Sequence, residues 1–292
     1  MRGIRAEWGR LRHRRTEGRL APAHSAVLNR VRELYAAEEF EQAEEGGRYL
    51  ATMPPVPGAD SAALSARLAR AFALAAAVAH GRGLDVLPEV EALIADMERA
   101  AGADPAQRAL VLAVRASHVE ILVQQERYEE AESEARDILR AAVRIAHLAQ
   151  VWETELLTLA KLAAALNGQG RHEEAEAIAR GNLPRADGLG EAALRRLLVG
   201  SLNGQGRYEE ALAETRRFSP TGSRASSGAA DILTATALHH LGHHQEAEDA
   251  AHRAVTACEQ SLHPDHPRTR EARALLARLT GEDRTVEGNS DD

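Results

Sequence analysis

Ten consecutive residues occur twice with a single difference, as Leu166-Asn-Gly-Gln-Gly-Arg-His-Glu-Glu-Ala175 and Leu202-Asn-Gly-Gln-Gly-Arg-Tyr-Glu-Glu-Ala211. Such self-similarity restricts the chain to architectures assembled from one stacked unit. The turn returns as Arg127-Tyr-Glu-Glu-Ala131 and Gly242-His-His-Gln-Glu-Ala247, and more loosely as Glu39-Phe-Glu-Gln-Ala43. The alanines fall at intervals of 88, 44, 36 and 36 residues. The first interval is double the second, which predicts a hidden unit with its turn near residue 87. There Gly81, Gly83 and Pro88 punctuate two alanine-rich helical segments. The sequence thus reads as six helix pairs.

Each periodic residue has a physical role. Gly170, Gly206 and Gly242 supply the positive φ that ends a helix sharply. Tyr128, His172, Tyr208, His244 and Phe40 present a ring beside the turn. Paired acids such as Glu209 and Glu210 sit where the next helix begins and its dipole favours negative charge. Ala131, Ala175, Ala211 and Ala247 mark the contact where a larger side chain would push paired helices apart. The second helices carry a single apolar stripe, shown by Ala247, Ala251, Ala254, Val255 and Cys258. The first helices, with Leu110, Val111, Val114, Ile121 and Leu122, are apolar around more of their circumference, which places them on the inside of a curve.

Alanine abundance and 3% aromatic residues agree with an all-helical chain. The net charge of −8 argues against general nucleic-acid binding. A lone Cys258 excludes an intrachain disulfide framework and suits a reducing compartment. No stretch reaches the length of a membrane span, the amino terminus lacks the apolar core of a secretion signal, and a cytoplasmic protein is expected. Lys161 is the only lysine beside abundant arginine, as a GC-rich bacterial genome would produce.

Through the Gly-Arg-(Tyr/His)-Glu-Glu-Ala turn the chain resembles the tetratricopeptide repeat family over about residues 24 to 280. The 44-residue spacing and Leu262-His-Pro-Asp-His-Pro-Arg-Thr269 are similar to the longer repeats of kinesin light chains and their bacterial relatives. The resemblance implies a right-handed superhelical solenoid of antiparallel helix pairs whose first helices line a concave groove for peptides or protein segments. It thereby implies a non-catalytic interaction scaffold. The alternative is a bacterial accessory protein in signalling or transcription that senses a peptide through the array.

The expected organisation is a basic arm over residues 1–21, a repeat domain over 22–280 with a terminal capping helix, and an acidic disordered tail over 281–292. Met53 to Gly58 and Ser219 to Ser227 read as links. In the arm, Ile4, Trp8 and Leu11 would form one apolar stripe among seven arginines, the one place where contact with nucleic acid, anionic lipid or an acidic partner is conceivable.

Aligning units by the turn puts Tyr35, Val123, Asn167, Asn203 and His239 at one equivalent position on the first helices, with Arg32, Glu120 and Arg196 nearby and Lys161 half a turn away. These nine are the candidate partner-binding residues, since asparagine amides can bond an extended peptide backbone. The plainer reading is that Asn167 and Asn203 only initiate the turn. His239, His240, His243 and His244 have metal-ligand spacing, but Gly242 interrupts it and His244 already holds the turn's ring position, so no metal is expected. His263 and His266 are read as structural. No phosphate loop, nucleophile motif or cofactor signature is present, and no catalytic residue is assigned.

Overall fold

The computed structural model describes residues 22–37, 39–53, 59–102, 104–217 and 224–281. The basic arm and the acidic tail beyond Gly281 lie outside them, as does most of each proposed link. Arg224 to Ser227, read as part of the second link, open a helix instead.

Among the described residues the chain is all-helical, without strands. The α-helices are α1 (Pro22–Ala36), α2 (Phe40–Thr52), α3 (Ala59–His80), α4 (Gly83–Ala101), α5 (Pro105–Gln124), α6 (Tyr128–Ile145) and α7 (Trp152–Gly168). They continue with α8 (His172–Asn182), α9 (Gly188–Gly204), α10 (Tyr208–Thr215), α11 (Arg224–His240), α12 (His244–Ser261) and α13 (Pro267–Thr280). A 3₁₀ turn, Leu183–Arg185, follows α8.

One turn is built six times. The backbone N–H after each reversal donates to the carbonyl five residues earlier, at 2.9 Å in every case: Glu39 to Leu34, Arg82 to Ala77, Arg127 to Leu122, Arg171 to Leu166, Arg207 to Leu202 and His243 to Leu238. This closure needs a positive φ at the preceding residue. Gly81, Gly170, Gly206 and Gly242 provide it at φ +102, +75, +74 and +82, whereas the third unit uses Glu126 at φ +60. The hidden unit is therefore present, with its turn at Gly81–Arg82 and Val86 standing where the others have alanine. Pro88 does not punctuate it. Proline there lies inside α4, early enough that the helix runs on through it.

Ala43, Ala131, Ala175, Ala211 and Ala247 are fully buried and Val86 nearly so, which brings the two helices of each unit close together. Each second helix packs against its own first helix and the next one, and each first helix also touches the first helices on either side. The stripe read on α12 is likewise buried, including Cys258, whose thiol is pushed up by burial.

The last hairpin meets the first two. The His263 N–H, in the loop from α12 to α13, donates to the His80 carbonyl at the end of α3 at 3.1 Å. The His266 ring sits so near Gly81 that a Cβ there would lie 2.7 Å from its Cδ2. Phe40, Tyr35 and Ala79 share one core with Ala272 and Leu275 of α13. His266 caps α13 by accepting from the Arg268 N–H at 2.9 Å. Burial, helped by Arg268, Arg196 and His80 and opposed by a hydrogen bond from the ring to the Ala79 backbone, pushes its imidazole down to about 3. Burial also lowers His80, against Glu41 and Glu44 and with His263 and Arg82.

Two consequences can be measured. Glu126→Gly removes the side chain from a left-handed position and should raise unfolding free energy by about 1 kcal/mol, read by urea titration. His266 stays neutral in the fold while an unfolded imidazole takes a proton below about 6.5, so stability is full above that pH and falls as pH drops toward 3. His266→Asn keeps a capping acceptor and should flatten the acid limb by up to about 1.4 kcal/mol per pH unit. Parallel acid limbs for the two proteins would count against this assignment.

Candidate functional site

The motif residues build the joints between units. Arg171 holds Glu174 through Nε and Nη2 at 2.7 and 2.8 Å and reaches Glu132 of the preceding unit through Nη1 at 2.7 Å. Arg207 repeats this with Glu210 and with Glu176, the latter at 2.7 Å. Gln169 and Gln205 donate to the same bridging glutamates at 2.9 and 2.7 Å. Desolvation opposes the charge on Glu132, but the bonds from Gln169 and Arg136 and the field of Arg171 hold its carboxyl below the usual range. The hidden unit carries the same joint, with Arg82 reaching the buried Glu44 at 2.8 Å.

The glycine that follows each row asparagine is a second joint. A Cβ on Gly168 would lie 2.4 Å from the Tyr128 ring, and one on Gly204 would lie 2.4 Å from the His172 ring. In the last unit His240 takes this place and the Tyr208 ring stacks on it, centroids 4.4 Å apart. Rings expected only to lie beside the turn thus pack, at Tyr128 and His172, on a glycine of the next unit. Its signal was available, because Gly168 and Gly204 recur in register with the turn.

The aligned row of candidates lies along the seam between first helices. Asn203 Nδ2 donates to the Leu233 carbonyl at 2.9 Å, and Asn167 Nδ2 to the Leu197 carbonyl at 3.4 Å. Asn167 Oδ1 also accepts from Ser201 at 3.1 Å. These amides do more than initiate turns: each joins its helix to the next first helix. Val123 packs on a core cluster, Tyr35 meets the Phe40 ring edge-on at 5.6 Å, and the Arg32 guanidinium lies 5.5 Å over Phe72. The His239 ring sits 5.5 Å from both His240 and His244, with its Nδ1 buried and unbonded, as is Asn203 Oδ1. Burial lowers the His239 imidazole.

The charged candidates Glu120, Lys161 and Arg196 are half-buried on α5, α7 and α9. Lys161 on α7 donates to the Ala116 carbonyl at 2.7 Å and faces Glu120 of α5 at 3.8 Å; burial lowers its ammonium, against Glu120. Arg196 on α9 lies within electrostatic reach of Glu271 and His266. Glu271 touches water, yet desolvation by the surrounding helices raises its carboxyl, against Arg268, Arg196 and Arg278. Arg268 and Glu271 were not among the sequence candidates, since they lie beyond the last repeat of the motif.

Among the described residues, no three His, Cys, Asp or Glu side chains are arranged to hold a metal ion. Among them also, no helix is long and apolar enough to cross a membrane. No protein-family model, curated protein or solved structure matches the chain.

The ring-on-glycine joint predicts a specific coupling. Gly168→Ala should destabilise the protein by about 1–3 kcal/mol, as overpacking does, and substantially less in a Tyr128→Ala background. Strict additivity in a chemical-unfolding double-mutant cycle would show that ring and glycine do not form the joint.

Proposed function

We propose that the six hairpins stack as a right-handed superhelical solenoid of the tetratricopeptide kind, and that the chain is a non-catalytic scaffold holding a peptide or protein segment along its first helices. The supporting observation is the layering. First helices touch one another from unit to unit, whereas second helices make no contact of comparable extent among themselves. A stack with that neighbour relation curves with its first helices inside, and such curvature gives an extended binding surface.

The inner surface then carries Glu120, Lys161, Arg196 and Glu271, half-buried or desolvated charges of both signs. Charges held on rigid helices in a concave surface favour orientation and selectivity for a polypeptide over bulk apolar adhesion. The asparagines contribute indirectly, by fixing the spacing between the helices that carry these charges.

The test is a selection from a displayed random-peptide library. Enriched peptides should bind the wild-type chain and lose about tenfold or more in affinity, roughly 1.4 kcal/mol, on Arg196→Glu, while the outward Arg144→Glu leaves binding unchanged. Failure to enrich any sequence, or equal binding to Arg196→Glu, would remove the inner surface from the account.

A further inference from the structure

In a stacked array each unit touches only its neighbours. The contact of the α12–α13 loop and α13 with the first two hairpins is additional to stacking, and it involves few groups. The C-terminal carbonyls of α3 lack helical partners, and one of them, on His80, is satisfied by the His263 N–H. The His80 and His263 rings meet edge-on, centroids 6.0 Å apart. Gly81 lacks the Cβ that would lie 2.7 Å from the His266 ring, which lets His266 lie against it. Phe40, Tyr35 and Ala79 supply the apolar part of the contact with α13.

This contact also positions α13. It sets Glu271 of α13 within electrostatic reach of Arg196 on α9 and of Tyr128 at the start of α6. Through Glu271, α13 thus comes near groups carried by α9 and α6. A cleft of about 250 Å³ lined by Arg48, Arg70, Leu74 and Glu89 lies between α2, α3 and α4, away from every inner-surface candidate.

We infer that the α12–α13 loop is a latch, fastening the last hairpin to the first two in the free protein and parting, with the hairpins intact, to admit a polypeptide to the inner surface. This rests on the inner surface being the binding face. A small, partly polar contact opens at lower free energy than the alanine-packed hairpins, whose opening requires local unfolding. The groups facing the latch are Glu41, Glu44 and Arg82 from the first two units, Arg196 from α9, and Arg268 from α13.

Amide hydrogen exchange on the ligand-free full chain tests this separately from peptide binding. The His263 amide should be protected, yet exchange faster than the Ala251 and Leu202 amides of the hairpin cores by about tenfold or more. His263→Pro removes the donor; the extended conformation of Leu262, φ −123 and ψ 156, suits a residue before proline. That variant should lose protection at Gly81 and Arg82 while α11 and α12 keep theirs. Exchange of His263 in step with the cores would overturn the latch, as would exchange at the rate of a free amide. The wild-type result decides even if the variant does not fold. Because no peptide is present, an empty library selection would leave this outcome unaffected.

Discussion

Everything in the molecule depends on a helix being stopped within one residue and reversed. The bond from one N–H to the carbonyl five residues back recurs at 2.9 Å in all six turns. It fixes where each second helix starts, and hence which alanine faces the first helix. With that alanine at zero exposure the helices approach closely, and the ring beside the turn is carried to the glycine of the next unit. Four of these turns place glycine in the left-handed position, and the fold tolerates Glu126 there because the neighbouring units constrain the same geometry.

The connections between units are mixed in kind. Arginines reach back to Glu44, Glu132 and Glu176, asparagines reach forward to Leu197 and Leu233, and Lys161 reaches back to Ala116. The bridging glutamates are largely removed from water, and each keeps a second arginine on its own helix, Arg48, Arg136 or Arg180, so losing the reaching arginine cuts the link between units while the carboxylate stays paired. Helices joined this way can stay in register. In the proposed reading, register is what allows separated charges such as Glu120 and Arg196 to act on one ligand.

The turn motif made the hairpins legible, including the hidden one, because a helix stop has a local chemical signature. Pro88 misled because a proline near the start of a helix and one after its end look alike when the boundary is uncertain. The Asn167 and Asn203 row was placed on the correct helices, but a helical face does not reveal which neighbour occupies it; here the next first helix does. Gly168 and Gly204 were visible as repeats, while their ring partners, Tyr128 and His172, lie 40 and 32 residues away and belong to another unit. Meeting of the last hairpin and the first two had no local signal at all. His80 and Gly81 meet His263 and His266 across more than 180 residues of chain, a pairing that no local periodicity encodes.

The claim on which the rest converges is that the stack closes far enough for its last hairpin to rest on its first two. Paired spin labels at Glu45 on α2 and Gln260 on α12, both exposed positions, in a Cys258→Ala background measure it directly. A single narrow distance distribution that collapses into a broad, longer one when Gly81 is replaced by valine is the expected result. A broad distribution in the unmodified array, or one indifferent to Gly81→Val, would contradict the closed arrangement.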